Sequence, residues 1–425
     1  MRFRDALSRP GLQAVAEVKR RSPSAGDLRP DADPAEIAAA YGRAGAAAVS
    51  VLVDERFAGT IDDLRAARAA TETPLLGKGF FTTETQLDEL KAAGADAALL
   101  ILRDLDDRAC ARLLAHADAI GLDALVEAHD AAELERAVAL GAAVIGLNAR
   151  DLATFRVDRA AQLRLVAQAP RDRIVIAESG IESAAQGAAA ELAGASAILV
   201  GSALMRAPDP ATKLREILRR PLVKVCGLTR EEDVAVAAEA GADLLGFILA
   251  RETPRRAPAI LTVPETTLSV AVHVGEITDD SGVGSTEPRE SGGAGFAGAG
   301  AGKADLVQLY GREDGHRARE GVLLREGVEV ARVLDQPWQE VDPSHWDTAA
   351  EVEDRVMLAG GLSAENVREA IERVRPWAVD AASRLEREPG IKDHEKVRAY
   401  VEAARCGAGS PEPSLTARAR RGQYE

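Results

Sequence analysis

Aromatic side chains are scarce in this chain. Phe, Tyr and Trp make up 3% of its 425 residues while 46% are hydrophobic, so its cores must be built mainly from aliphatic side chains. No run of about 18 apolar residues occurs, which excludes a membrane-spanning helix. The first ten residues, MRFRDALSRP, hold no apolar stretch of signal-peptide length. The three cysteines, Cys110, Cys226 and Cys406, show no paired spacing. That excludes a disulfide framework and a zinc site and points to a reduced, cytoplasmic protein. Lysine is rare too, confined to positions 19, 78, 91, 213, 224, 303, 392 and 396. A formal net charge of −15 argues against a general nucleic-acid binder.

What is present is a repeat of apolar runs and Ala-, Leu- and Glu-rich segments with helical spacing. In the first half the apolar runs fall near 12–18, 47–53, 74–78, 95–102, 122–127, 142–148, 174–178 and 197–201. Helical spacing separates them, as in Pro34–Ala44 and Glu84–Ala93. Eight strands alternating with helices in about 210 residues predict a (β/α)8 barrel, whose active site lies at the C-terminal ends of the strands.

Polar residues stand at those ends. The first run leads into Glu17, Lys19 and the Ser22-Pro23-Ser24 turn, the third into Lys78, and the fifth into Glu127. The sixth ends in Asn148 and Arg150, the seventh in Glu178-Ser179-Gly180, and the eighth in Gly201-Ser202. Two lysines and several glutamates at one mouth supply acids and bases whose pKa values are open to being pushed apart. Hydroxyls and backbone amides after strands 7 and 8 suit a phosphate. Any one of these residues alone reads equally well as a solvated loop charge.

At 221–230, PLVKVCGLTR, a second series begins. A short strand runs into Cys226-Gly227, and Thr229 with Glu231, Glu232 and Asp233 predicts a capped helix start. Further strands are expected at 242–249, 268–274, 305–310, 328–335, 355–361 and 377–380, seven in all, with one strand–helix unit near 312–330 missing or compressed. Residues 276–303 are polar and Gly-rich without apolar periodicity and read as a disordered insertion. Residues 408–425 read as a disordered tail. The fold expected is two tandem (β/α)8 TIM barrels, over 1–220 and 221–407.

AEVKRRSPSAG, PLLGKGFF, LVEAHD, IGLNARDLATFRVD, AESGI and LVGSALMR follow one another in the first half. They resemble the successive motifs of the indole-3-glycerol-phosphate synthase family over nearly all of 5–220. The resemblance implies closure of an indole ring from 1-(2-carboxyphenylamino)-1-deoxyribulose 5-phosphate, with loss of CO2 and water. It makes Lys78 the general acid of ring closure and Glu127 the base of the dehydration. Glu17 and Lys19 would orient and protonate the reacting groups. Phe80, Asn148, Arg150 and Glu178 would contact the substrate, and Ser22, Ser179, Gly180, Gly201 and Ser202 would bind phosphate. No cofactor or metal is expected, because the ring-forming intermediate serves as its own electron sink. Three departures stand out: only about a dozen residues precede the first strand, Gly79 stands where the family commonly has Asp, and DERFAGT (54–60) replaces the usual loop.

VKVCGLTREEDV, GFILARETPRRA, VQLYG, MLAGGLSAENV and AVDAASRLEREPGIKD resemble phosphoribosylanthranilate isomerase over about 222–406. That enzyme carries out an Amadori rearrangement of N-(5-phosphoribosyl)anthranilate. By resemblance Cys226 is the base, with help from Lys224. Asp335 is the acid, Arg255 meets the anthranilate carboxylate, and Gly360, Gly361, Asp380 and Ser383 hold the phosphate. Here VQLHG has become VQLYG at Tyr310, and SSG has become Ala382-Ser383-Arg384.

The reading expected is a two-step enzyme of tryptophan biosynthesis acting on small phosphorylated substrates, monomeric or weakly oligomeric. Two alternatives stay open: a synthase with a decayed second barrel, and a non-catalytic phosphate-ligand binding protein.

Overall fold

A computed structural model of the chain describes residues 2–23, 25–150, 156–250, 253–275, 303–313, 316–336 and 344–407. The segments read as a disordered insertion and tail lie outside the described residues, Lys303 excepted. Contacts divide the chain between Leu218 and Arg219, and each unit holds one closed barrel. No helix among the described residues is long and apolar enough to cross a membrane.

The first barrel consists of β1 (Gln13–Val18), β2 (Ala48–Leu52), β3 (Leu75–Lys78), β4 (Ala97–Ile101), β5 (Asp123–Ala128), β6 (Val144–Asn148), β7 (Ile174–Glu178) and β8 (Ala197–Val200). All eight pair in parallel, and β1 closes the ring against both β2 and β8. Successive side chains of a strand point to opposite faces. In β1, Ala14, Ala16 and Val18 join the outer core with the helices, whereas Val15 joins the interior. Glu17 shares the face of Val15. The same alternation pairs Leu76 with Lys78, Leu125 with Glu127, and Ile176 with Glu178. Aliphatic residues thus fill the lower barrel, and charged ones follow two positions later at the C-terminal mouth.

The few residues before β1 do structural work at the opposite end. A short helix, Phe3–Leu7, buries Phe3 and Leu7 completely in the interior cluster. Asp123, at the start of β5, accepts hydrogen bonds from the Arg2 side chain at 2.7 Å and from the Arg4 amide at 3.0 Å.

The second barrel comprises β9 (Leu222–Cys226), β10 (Leu244–Ile248), β11 (Leu268–Val274), β12 (Leu306–Glu313), β13 (His316–Arg325), β14 (Val328–Leu334), β15 (Val356–Leu358) and β16 (Ala378–Ala381). Eight strands are present where seven were expected. The additional one, β13, runs antiparallel to both neighbours. Arg325 pairs with Val328 across Glu326 and Gly327, whose φ values are +50° and +81°. Two left-handed residues in a two-residue loop make the turn that suits twisted antiparallel strands. This hairpin stands in place of a helical crossover, and β14 takes the sixth position in the ring. The helix after β9 spans Glu231–Ala240, but Thr229 does not cap it. Its hydroxyl donates to the Gly390 carbonyl at 2.5 Å, and Arg230 occupies the cap position.

Candidate active sites

Lys78 ends β3 at the centre of the first mouth. Its Nζ lies 2.6 Å from Glu178 Oε2, 3.6 Å from Glu17 Oε2 and 3.8 Å from Glu127 Oε2. Lys19 Nζ lies 2.7 Å from the other oxygen of Glu17. The three carboxylates are each at most 3% exposed. Burial works to lower the Lys78 ammonium, but Glu178, Glu17 and Glu127 together outweigh it and hold the lysine charged. Three buried carboxylates cannot all ionise around it without cost. Burial, with Glu127 nearby, pushes Glu178 up to about 8 against the pull of Lys78. Glu127 goes the other way, down to about 2, because His129, Lys78 and Asn148 overcome its burial. Environment thus separates two neighbouring glutamates, which equips one site with both a proton carrier and an ionised base.

The backbone makes room for this cluster. Gly146, in β6, pairs with Glu127 of β5. A Cβ there would fall 2.1 Å from Glu178 Oε1. Gln162 sits beneath, its amide donating to the carbonyls of Leu147 and Glu178 at 2.6 Å each. Asn148 Oδ1 accepts from Ser179 Oγ at 2.8 Å and from the Arg150 amide at 3.0 Å, so the sixth and seventh strand ends are tied together. Ser179 and Gly180 both adopt left-handed backbone, φ +72° and +70°. For Ser179 this costs on the order of 1 kcal/mol. On the adjacent strand end, Gly201 precedes the short helix Ser202–Arg206. Ser22 is buried in a small hairpin, paired with Gly26.

Phe80 lies beyond Lys78, and the DERFAGT loop is built around it. Phe57 stacks on Phe80 with centroids 6.5 Å apart and planes 14° apart. The Arg56 guanidinium covers the Phe80 ring at 3.5 Å, held by Asp54 at 2.8 and 2.9 Å. A side chain at Gly79, where Asp was expected, would place its Cβ 2.8 Å from the Phe81 ring.

Sequence reasoning missed His129. It lies between Glu127, at 3.3 Å from its Nε2, and Glu133, at 3.0 Å from its Nδ1. The Arg103 guanidinium backs Glu133 at 3.4 Å. Burial works against a charged imidazole, but the two carboxylates raise His129 above its usual value. The signal was present in EAHD: a histidine two residues after a strand-end glutamate, with a further glutamate four residues on.

In the second mouth Lys224, wholly buried, forms an ion pair with Asp380 at 2.7 Å and donates to Gln308 at 2.5 Å. Gln308 donates to the Tyr310 hydroxyl at 2.6 Å, and Tyr310 donates to Asp335 at 3.0 Å. One polar chain therefore crosses the barrel from Asp380 to Asp335. Cys226 ends β9 beside Lys224. A Cβ on Gly246 would lie 2.8 Å from its sulfur and 2.9 Å from Lys224 Cε. Burial pushes the thiol up, against the attraction of Lys224 and of Lys392, a residue not singled out from sequence. Lys392 donates to the Ala382 carbonyl at 2.9 Å and to Glu386 at 3.3 Å.

Two expected ligands have charged partners within the protein. Asp380, expected at the phosphate, faces Lys224. Arg255, expected at the anthranilate, has its Nε 2.9 and 3.0 Å from the two Glu386 oxygens. Gly360 and Gly361 follow β15 with left-handed backbone, and Ser383 opens a 3-10 turn after β16. Burial raises Asp335, more than Arg317 and Tyr310 lower it.

Two barrels with acids and bases gathered at their mouths define a TIM-barrel enzyme. The chain belongs to the indole-3-glycerol phosphate synthase family, whose model matches residues 1–217. Residues 339–403 match the model of N-(5'phosphoribosyl)anthranilate (PRA) isomerase. Indole-3-glycerol phosphate synthase 2 of Streptomyces coelicolor is 48% identical over 51% of this chain and 84% of its own length. The synthase of Nocardioides sp. is 49% identical over 49% of this chain and 80% of that protein. The multifunctional tryptophan biosynthesis protein of Schizosaccharomyces pombe is 32% identical over 94% of this chain, which spans 60% of that protein.

Proposed function

We propose that the chain catalyses two consecutive steps of tryptophan biosynthesis. The second barrel isomerises N-(5-phosphoribosyl)anthranilate, and the first closes the product into indole-3-glycerol phosphate. The observation that carries this reading is the pairing of opposed acid–base sets: Lys78 among three carboxylates in one mouth, and Cys226 beside Lys224, across from Asp335, in the other. Binding a phosphate alone requires neither set.

In the first barrel Lys78 protonates the substrate carbonyl as the aromatic ring attacks it. Its three carboxylates keep it charged and aimed, and Lys19 with Glu17 steers the substrate carboxyl that leaves as CO2. Glu127, ionised and braced by His129, removes the proton in the dehydration that follows. Asn148 and Arg150 hold the substrate, Phe80 packs against its ring, and Ser22, Ser179, Gly180, Gly201 and Ser202 surround the phosphate.

In the second barrel Asp335 protonates the ribose ring oxygen and Cys226 takes the proton from C2′. Lys224 stabilises the thiolate form. Gly360, Gly361 and Ser383 offer backbone and hydroxyl donors to the phosphate, while Asp380 fixes Lys224 instead of meeting the anion. No cofactor enters either step.

The test is to supply the purified chain with freshly made phosphoribosylanthranilate alone. Carboxyphenylamino-deoxyribulose phosphate should rise first and indole-3-glycerol phosphate second. Persistence of the starting compound, with the added intermediate still converted, would leave a synthase joined to an inactive barrel.

A further inference from the structure

A small hairpin follows β16, with Glu386–Glu388 paired to Ile391–Lys392. Its turn touches the loops beyond β9 and β10. The Gly390 carbonyl accepts from the Thr229 hydroxyl at 2.5 Å. Gly390 itself has a φ of +82°, and a Cβ there would lie 3.1 Å from the Pro254 carbonyl oxygen and 3.7 Å from Arg255 Cα. Glycine therefore lets the turn close on the segment that carries Arg255. Glu386 is the buried centre of this contact. Its two oxygens accept from Arg255 Nε at 3.0 and 2.9 Å, and Oε1 also accepts from Lys392 Nζ and from the Gly390 amide, each at 3.3 Å. The Glu386 side chain is 4% exposed and that of Lys392 wholly buried, whereas that of Arg255 is 25% exposed. Lys392 fastens the far side by donating to the Ala382 carbonyl at 2.9 Å.

Glu386 engages the guanidinium through Nε alone, which leaves the edge formed by the two Nη groups to meet a second carboxylate in bidentate fashion. An arginine on a loop loses rotamer freedom when it binds an anion, and one immobilised beforehand is spared that cost. We infer that Glu386, braced by Lys392, is a positioning residue that presents Arg255 to the aromatic carboxylate of the isomerase substrate; this rests on the isomerase reading of the barrel, with Arg255 as the carboxylate's partner. The same brace stands behind the base. A Cβ on Gly227, next to Cys226, would lie 3.5 Å from Lys392 Nζ and 3.7 Å from Glu386 Oε1. One hairpin thus fixes the carboxylate's arginine relative to the strand end that carries the thiol, so a substrate anchored at Arg255 is set at a defined distance from Cys226.

Isomerase kinetics of wild type, Glu386→Asp, Arg255→Gln and the double variant, on phosphoribosylanthranilate and on phosphoribosylaniline, test this. The second substrate lacks only the carboxylate. E386D keeps the charge but withdraws it by one methylene. It should raise KM for phosphoribosylanthranilate about three- to tenfold, with kcat within about twofold, and leave phosphoribosylaniline kinetics unchanged. R255Q should raise the same KM at least about tenfold, and E386D should add nothing to it, because Glu386 acts through Arg255. Gly390→Ala, which pushes the turn off Pro254 without touching the ion pair, should reproduce the E386D pattern. An unchanged KM in E386D, full additivity in the double variant, or equal losses on both substrates with wild-type circular dichroism would overturn the inference and leave the isomerase reading standing. A wild-type chain that turns over neither substrate would remove both.

Discussion

Glu178 Oε2 lies 2.6 Å from Lys78 Nζ, across a barrel mouth and 100 residues along the chain. Two further glutamates approach the same ammonium within 4 Å. The lysine is thereby kept protonated, the state required of the acid proposed for ring closure. Lys78→Met should lower kcat of the synthase step by about 10²–10⁴-fold with little change in KM. Isomerase turnover by the same protein should persist. A K78M variant that retains more than about a tenth of its kcat would assign the acid elsewhere.

The raised Glu178 has a signature in stability. Its folded-state value of about 8 lies above the ordinary glutamate value, so the folded protein holds a proton that the unfolded chain has lost. Stability contributed in this way is present below the ordinary value and fades as pH rises toward 8. Glu178→Gln removes the titration. The fall in Tm between pH 6 and pH 9 should be smaller in E178Q than in wild type, by roughly 2–4 °C for each kcal/mol involved. Parallel Tm curves would contradict it. Glu127, drawn down to about 2, acts in the opposite window. Its contribution is present above the ordinary value and is lost as pH falls toward 2.

His129 lies 3.3 Å from Glu127, the base proposed for the dehydration. With His129→Asn, Glu127 loses its principal stabilising partner and its pKa should rise. The low-pH limb of synthase kcat/KM then shifts upward by about one unit, while KM near pH 8 stays close to wild type. An unshifted limb with lowered protein yield would reduce His129 to a packing role.

Gly146 tests the geometry without touching a charge. Its added Cβ would meet Glu178 Oε1 at 2.1 Å, so Gly146→Ala must drive that carboxylate off Lys78. Synthase kcat should fall about 10²-fold, as for a reacting group displaced by an ångström. Full activity in a folded G146A would show that the Lys78–Glu178 contact is dispensable.

Lys224 is fully buried against Asp380, and removing one partner strands the other's charge. Lys224→Met should cost about 3–5 kcal/mol in urea unfolding of the second barrel. Lys224→Met combined with Asp380→Leu should recover much of that loss. Equal or greater destabilisation in the double variant would mean that the pair is not coupled.

The fold was largely legible because strand alternation leaves a direct trace. Val15 then Glu17, Leu76 then Lys78, and Leu125 then Glu127 each place an aliphatic residue in the core and a charged one at the mouth. The strand β13 was not legible, since HRAREGVLLR carries four charged residues and lacks clean alternation. The Glu326-Gly327 turn was its one local sign. Arg317 was missed with it, because only the antiparallel pairing brings that residue to Asp335. Gln308 and Lys392 were missed for another reason: a buried polar side chain is recognised by its partners, and these come from strands far apart in the chain. Asp380 and Arg255 were visible as charges, but their pairing with Lys224 and Glu386 was not.

The central claim is that one chain holds two separate chemistries. The most direct measurement follows both products from phosphoribosylanthranilate with wild type, Cys226→Ala and Lys78→Met. Wild type should yield indole-3-glycerol phosphate. K78M should stop at carboxyphenylamino-deoxyribulose phosphate, and C226A should leave the starting compound untouched yet convert the added intermediate. Isomerase turnover undiminished in C226A would contradict the account, as would loss of both steps from either single substitution.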